Sequence, residues 1–125
     1  DLVLLGADTI CADLAAANKT GSRLAALAAK ESGKPCLVAA DTYKINPNVT
    51  SGTVALEEKP GEEVWDARPE ICANIYFEPV PAGLISSYLT EKGVLDGSRM
   101  ASEVERWRRL YEETAKRAND RCAEP

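Results

Sequence analysis

Two short runs of apolar residues, 2–5 and 36–40, constrain the fold of this chain more than any other feature. A continuous apolar run of this length is typical of a strand in a parallel sheet, which is covered on both faces. Between the two runs lies a segment rich in alanine and leucine, a composition that favours a helix. The order strand, helix, strand predicts a parallel pair of strands joined by a right-handed crossover.

Capping residues mark both ends of the predicted helix. Thr20 or Ser22 is suited to cap its first turn, because a hydroxyl oxygen accepts hydrogen bonds from free backbone amides. Gly33 ends the helix, with Pro35 just beyond it. The apolar face is predicted from residues that recur at helical spacing, namely Leu24, Leu27 and Ala28.

The middle of the chain predicts a long excursion from the core. Residues 41–68 are rich in Asn, Pro, Gly, Thr and Glu, and we expect one short strand there, near residues 53–56. The acidic stretch within and after it is predicted to be a solvated loop. The residues able to anchor the excursion to the core are Val49, Val54, Leu56, Val64 and Trp65.

The last third predicts a third strand and two helices. Residues 74–77 form the strand, which prolines 79 and 81 end because proline cannot donate to a sheet ladder. The next helix buries Leu84, Ile85, Tyr88 and Leu89 and ends at Gly93. The final helix follows Asp96-Gly97-Ser98, and its seam in steps of four and three consists of Met100, Val104, Trp107, Tyr111 and Thr114.

The seam of the final helix has two possible partners. It packs either on its own domain or on a second chain, and we favour the second chain because the helix follows the expected end of the domain at Leu95. The predicted interface residues are Met100, Val104, Trp107 and Tyr111. The fold class is therefore α/β: a three-layer, Rossmann-like parallel sheet truncated at its N-terminus in residues 1–95, followed by a helical extension in residues 96–125. Since the chain opens inside a buried strand without methionine, we expect it to be a piece of a longer protein.

Charge and cysteine content exclude several classes of function. A net charge of -5 in 125 residues opposes direct nucleic-acid binding, which needs clustered Lys and Arg. No apolar run reaches the roughly 20 residues of a membrane span, so we expect a cytoplasmic protein. The four cysteines show no C-x-x-C spacing and the chain has no histidine, which predicts free thiols and no metal site. We predict no cofactor, since the Gly-x-Gly-x-x-Gly turn of dinucleotide sites is missing.

Charged residues at the mouth of the strand–helix unit form the candidate site. Asp8 follows the first strand in Gly6-Ala7-Asp8, and Asn18-Lys19-Thr20-Gly21 precedes the helix. Strand ends and helix N-termini in α/β folds bind anionic ligands. The alternatives are a carboxylate of Asp8 that only caps a turn, and a Lys19 that is solvated or paired with Asp8.

The blocks around this site resemble a known family. They are residues 1–8, Asn18-Lys19-Thr20-Gly21, residues 27–30, the block Tyr76-Phe77-Glu78-Pro79-Val80-Pro81, Leu84-Ile85 and residues 90–95. In this order they are similar to the C-terminal domain shared by the alpha, beta and delta regulatory subunits of translation initiation factor 2B and by isomerases of methylthioribose-1-phosphate and ribose-1,5-bisphosphate. The Tyr76–Pro81 block also resembles the fungal initiation-factor-2B-like branch.

The resemblance implies roles for single residues. Asp8 matches the proton-transfer aspartate of the isomerases, whose partner cysteine lies upstream of this strand, so Cys11 does not take that role. Asn18, Lys19 and Gly21 match positions that hold the substrate phosphate. Two departures oppose catalysis: Thr9 stands where the family usually has arginine, and Asp13-Leu14-Ala15 stands where an Asn-Gly-Asp turn is common.

We therefore predict a fragment of an initiation-factor-2B-like regulatory subunit, acting in subunit assembly and in the regulation of guanine-nucleotide exchange. The expected partners are identical or related subunits, and the expected ligand is a sugar phosphate or a nucleotide. The alternative is an aldose–ketose isomerase of ribose phosphates. In either case we expect the fragment alone to be inactive as an enzyme.

Overall fold

The computed structural model describes residues 1–122, with side chains up to residue 118. Its two helices are α1 (Ser22–Glu31) and α2 (Gly97–Cys122). Short 3-10 turns occupy Thr42–Lys44, Gly61–Glu63, Pro69–Ile71 and Ala82–Leu84. The strands are β1 (Val3–Gly6), β2 (Thr9–Cys11), β3 (Ala16–Lys19), β4 (Cys36–Ala39), β5 (Ile45–Asn46), β6 (Glu58–Lys59), β7 (Asn74–Ile75), β8 (Phe77–Val80), β9 (Ser87–Thr90) and β10 (Gly93–Leu95).

The first sheet has the strand order β1-β4-β9-β10 and confirms the predicted parallel pair. β1 and β4 run parallel with Val3 opposite Cys36 and Leu5 opposite Val38. β4 also pairs parallel with β9, whereas β10 returns antiparallel to β9. The α/β class with an added C-terminal helix is thus confirmed, in a sheet that is mixed rather than wholly parallel.

Both helices pack on the same face of this sheet. Ala26 and Ala29 of α1 share a buried cluster with Cys36, while Met100 and Val104 of α2 share another with Val38. On the opposite face Leu4 remains 57% exposed, Leu89 39% and Val94 56%. The expectation that residues 2–5 are covered on both faces is therefore wrong for the described chain, in which only one helical layer covers the sheet.

The second sheet has the order β5-β2-β3-β8 and includes a hairpin that the sequence did not predict. β2 and β3 form this hairpin, in which they pair antiparallel with Ile10 opposite Ala16. The hairpin was missed because alanine has little intrinsic preference for strands. β8 pairs with β3 and runs through Pro79, which is tolerated because β8 is an edge strand.

Helix α1 forms where predicted but presents a different face to the core. Ser22, Ala26 and Ala29 are buried, while Leu24 is 72% exposed and Leu27 is also exposed. The predicted caps are wrong as well: the N-cap is Gly21, with a φ of 103°, and the side chains of Thr20 and Ser22 bond elsewhere. Gly33, with a φ of 62°, follows the C-terminus as predicted.

The helix predicted to bury Leu84, Ile85, Tyr88 and Leu89 is wrong: this segment is a 3-10 turn followed by the β9–β10 hairpin. Residues 84, 85, 88 and 89 fit helical spacing, but pairing of β9 with β4 places Tyr88 in the core and Leu89 on the exposed face. Gly93, where the helix was to end, adopts a φ of 97° as β10 begins.

The excursion differs from the prediction in its anchors. No strand forms at residues 53–56, and the strands present are the short β5 and β6. Ile45, which the sequence analysis passed over, is buried, whereas Val64 and Trp65 are exposed. Trp65 therefore does not pin the acidic loop to the core.

Helix α2 begins at Gly97, within the segment that was expected to precede it, and its first turns complete the core. Met100 and Val104 are buried, and Trp107 packs against the same cluster. These three residues therefore pack on their own domain, which was one of the two alternatives for the seam. Tyr111, 46% exposed, and Thr114 continue the seam on the surface. The division of the chain at Leu95 stays a prediction, and residues 123–125 lie outside the described part. Over the described residues, neither helix is long and apolar enough to cross a bilayer.

Candidate functional site

The candidate site lies where β1 ends and α1 begins. Asp8 lies two residues after the end of β1, and its backbone amide donates to the carbonyl oxygen of Ala17 at 2.8 Å. The Asp8 side chain is exposed, and among the described residues it forms neither a hydrogen bond nor an ion pair. A pair with Lys19, which the sequence left open as an alternative, is therefore not formed.

Asn18 links the end of β1 to the first turn of α1. Its Nδ2 donates to Ser22 Oγ at 2.9 Å, and the Ser22 hydroxyl donates to the Lys19 carbonyl oxygen at 2.6 Å. A Cβ built on Gly6 would lie 3.7 Å from Asn18 Oδ1, which places Asn18 beside the end of β1. The register of the β2–β3 pair, continued by one residue, puts Asp8 across from Asn18.

Lys19 points away from this group. Neighbouring residues of a strand point to opposite faces, and Lys19 Nζ lies 4.0 Å from the ring centre of Tyr76 and 4.4 Å from that of Phe77. Asn18 and Lys19 were both expected to hold one phosphate. In this arrangement they do not converge, and their role as phosphate ligands stays a prediction.

The N-terminus of α1 holds a carboxylate that belongs to the chain. Glu78 Oε1 accepts hydrogen bonds from the amide of Gly21 at 2.7 Å and from the amide of Arg23 at 2.9 Å. A negative charge here is favourable because the free amides of a first turn carry partial positive charge. The position to which the sequence assigned a phosphate is thus occupied by a side chain from β8.

The β2–β3 turn lies at the opposite end of the hairpin from Asp8 and Asn18 and is held by Asp13. Its carboxylate accepts from the Ser51 amide at 3.0 Å and from the Ser51 hydroxyl at 2.6 Å. Burial alone would raise the pKa of Asp13, but the hydrogen bonds from Ser51 outweigh it and lower the pKa. Leu14, at the tip, has a φ of 65°, and its carbonyl oxygen accepts from the Tyr88 hydroxyl at 2.5 Å.

The cysteine nearest the site is not suited to chemistry. Burial, followed by the charge of Asp13, raises the pKa of Cys11 to about 11, so its thiol stays protonated at neutral pH. This agrees with the sequence analysis, which gave Cys11 no role. Cys36 and Cys72 are also free thiols, while Cys122 lies outside the described side chains. The described residues bring together no cluster of three potential metal ligands.

The sequence analysis missed three residues that shape this site. Glu78 caps α1 from 57 residues away, and Tyr76 and Phe77 hold Lys19. All three belong to the Tyr76–Pro81 block, which was quoted for the resemblance without a role for its side chains. The signal available was the Glu in that block, but only the pairing of β8 with β3 reveals what it reaches.

Comparisons with known proteins agree on one family. The model of the "Initiation factor 2 subunit family" matches residues 1–97. The chain is 41% identical to a ribose 1,5-bisphosphate isomerase of Archaeoglobus fulgidus, over 76% of this chain and 32% of that protein. It is 38% identical to a methylthioribose-1-phosphate isomerase of Syntrophotalea carbinolica, over 78% and 30%.

A solved structure extends the similarity to an initiation factor. The translation initiation factor eIF-2B of Pyrococcus horikoshii OT3 superposes with a TM-score of 0.69 at 34% identity, over 80% of this chain and 35% of that one. The chain therefore spans about a third of the length of each of these relatives. Relatives of both kinds, isomerases and initiation factors, are similar to it.

Proposed function

Since the chain belongs to the Initiation factor 2 subunit family, we propose that it is part of a regulatory subunit of the initiation factor 2B type. Its role is to support subunit assembly and, through that assembly, the regulation of guanine-nucleotide exchange. The observation that carries the proposal is the arrangement at the mouth of α1. There the carboxylate of Glu78 occupies the helix N-terminus, and the ammonium of Lys19 rests on two aromatic rings.

One departure within this segment opposes isomerase chemistry. Proton transfer by Asp8 requires a substrate held beside it. Thr9 stands where the resemblance implies an arginine, and it supplies neither the charge nor the fork geometry of that residue. A sugar phosphate or nucleotide that binds here would act as a regulatory ligand, held near Asn18 and, after release from the rings, by Lys19.

Assembly would use the apolar surfaces that the described chain leaves open. The exposed face of the first sheet, with Leu4 and Val94, carries no charged residue on its strands. Tyr111 offers a second surface on α2. Identical or related subunits are the partners we propose for these surfaces, in keeping with the family.

A chimaeric enzyme tests the proposal directly. The ribose 1,5-bisphosphate isomerase of A. fulgidus would carry residues 1–97 of this chain in place of its matching segment, and turnover would be followed by NMR. We expect the chimaera to fold and assemble like its parent but to lose about 10-fold or more in turnover, the factor that corresponds to the charge-assisted hydrogen bonds that Thr9 cannot make in place of arginine. Circular dichroism and sedimentation against the parent enzyme serve as the folding control.

The alternative is a sugar-phosphate isomerase, and one observation favours it. Asp8 follows the carboxyl end of β1 and lies across from Asn18, which is a suitable position for a group that meets a ligand. If the chimaera keeps its parent's turnover, the isomerase alternative replaces the regulatory one. If the additional change Thr9→Arg restores the turnover that the chimaera lost, the loss is explained by the absence of this arginine.

A further inference from the structure

Residues 57–76, here called the acidic flap, are held together mainly by contacts among themselves. β6 and β7 pair within the flap, and the Tyr76 amide donates to the Glu57 carbonyl oxygen at 2.8 Å. The Glu63 carboxylate accepts from the Tyr76 hydroxyl at 2.6 Å and from the Asn74 side-chain amide at 3.0 Å. The flap is thus a small unit held together by its own exposed hydrogen bonds.

The flap is weakly joined to the rest of the molecule. None of its side chains belongs to either buried cluster of the described residues, and Val64, Trp65 and Ile71 are half or more exposed. The hydrogen bonds that leave it within the described chain go to Thr20. The Thr20 amide donates to the Tyr76 carbonyl oxygen at 2.9 Å and the Thr20 hydroxyl to that of Ile75 at 2.5 Å.

Lys19 stands beside this junction and supplies the charge that favours the closed flap. The flap carries six carboxylates against Lys59 and Arg68, a net of -4 in a chain of -5. The Lys19 ammonium lies on the ring of Tyr76, at the end of the flap, and on that of Phe77, just after it. It thereby offsets the flap's negative charge and packs against its last residue.

We propose that Lys19 is the latch of the acidic flap, that is, the residue that holds the flap against the rest of the chain. We propose further that an anionic ligand opens the flap by drawing Lys19 away from the rings. The second half rests on the phosphate-binding role of Lys19 in the proposed function. One ammonium cannot lie on the Tyr76 ring and contact a phosphate on the other side of β3 at the same time. A bound anion is also repelled by the net charge of a closed flap. Ligand binding and flap closure therefore oppose each other.

Limited chymotrypsin digestion of the full chain measures the opening. Cleavage after Trp65, identified by mass spectrometry, requires the flap to open locally. Lys19→Met keeps the aliphatic stem and removes the charge, and we expect it to raise the cleavage rate about fivefold, the factor that corresponds to one exposed cation–π contact. Lys19→Arg, which also stacks on rings, should restore the slow rate.

Lys59→Met is the matched control. Its ammonium lies 5.7 Å from the same Tyr76 ring and is paired with Glu57 at 2.6 Å, within the flap. If Lys19→Met is cleaved no faster than Lys59→Met, the latch is refuted. Urea unfolding of each variant separates local opening from loss of global stability.

Inorganic phosphate at constant ionic strength tests the switch. We expect phosphate to speed cleavage of the wild type and to leave Lys19→Met unchanged. Equal acceleration of both chains would overturn the switch, because the effect would not pass through Lys19. If phosphate speeds cleavage of neither the wild type nor Lys19→Met, the anion-driven opening is refuted. The proposed role in assembly is tested separately, by the turnover and sedimentation of the chimaera.

Discussion

Leu14 shows at the scale of a residue how a turn can hold a strained backbone conformation. Among the described residues it is the non-glycine residue with a positive φ, 65°, at the tip of the β2–β3 hairpin. Such a conformation costs roughly 1–2 kcal/mol for a residue with a Cβ atom. Glycine is the usual solution at this kind of turn, and the resemblance placed an Asn-Gly-Asp turn here.

A pair of substitutions isolates this strain. Leu14→Ala and Leu14→Gly lose the same packing of a partly buried side chain, but only glycine relieves the backbone. We expect the Gly variant to be more stable than the Ala variant by about 1 kcal/mol in urea unfolding. In ordinary backbone conformations a Gly variant is usually less stable than the Ala variant at the same position. A Leu14→Ala chain as stable as Leu14→Gly, or more stable, would therefore contradict the expectation.

Glu78 is the second residue whose effect can be measured alone. Glu78→Gln keeps the shape but removes the negative charge from the first turn of α1, and we expect a loss of about 1 kcal/mol in the free energy of unfolding. Glu62→Gln, in the acidic flap, is the control and should change stability by less than about 0.5 kcal/mol. Equal effects of the two changes would mean that the cap contributes nothing beyond net charge.

At the scale of elements, α2 is joined to the β9–β10 turn by Glu103. Its carboxylate accepts from Lys92 Nζ at 2.6 Å and from Arg106 Nε at 2.9 Å. The hydrogen bond from Lys92, aided by Arg106 and opposed by partial burial, lowers the pKa of Glu103 below its ordinary value of 4.5. The lowered pKa means that the folded state binds this proton less readily than the unfolded chain.

The sign of the pH dependence follows. Since the folded pKa is the lower one, the stabilisation by Glu103 is present in full above about pH 4.5 and is lost as the pH falls through the folded pKa. Wild type should therefore exceed Glu103→Gln in unfolding free energy near neutral pH, and the difference should shrink toward about pH 3. Glu112→Gln, on the exposed part of α2, should show no such trend; a constant difference for Glu103→Gln would point to packing instead.

The elements also show how far the sequence reaches. β1 and β4 were predictable from their continuous apolar runs, and α2 was predictable from the helical spacing of its apolar residues. The β2–β3 hairpin was not, since Ala16 and Ala17 are buried by their partners rather than by a strand-forming preference. β9 was misassigned because Tyr88 and Leu89 fit a helix until Leu89 pairs with Ala39. Asp8 and Asn18 lie across from each other in the β2–β3 register, while their roles stay predictions, and the cap by Glu78 depends on a contact that sequence spacing does not contain.

At the scale of the whole molecule, the main unusual feature is the first sheet, which helices cover on one face only. Parallel strands are normally buried on both faces, yet Leu4 and Val94 remain exposed opposite the two helices. An apolar face of this kind marks a contact surface.

We expect the chain to self-associate through this face. The sedimentation coefficient of the wild type should rise with concentration, and Leu4→Lys should suppress the rise because it places a charge in the contact. Tyr111→Lys tests the competing surface on α2. A wild type that stays monomeric at the highest concentration would refute self-association, and suppression by Tyr111→Lys alone would move the contact to the helix.

The pairing of β3 with β8 has a consequence for how the chain is made. Lys19 lies opposite Phe77 and Ala16 opposite Val80, so this ladder joins residues about 60 positions apart. During synthesis from the N-terminus, β3 has no outer partner until residues 77–80 have left the ribosome. Until then a nascent hairpin with a free edge is open to wrong pairing, so chaperone demand should be greatest before β8 emerges.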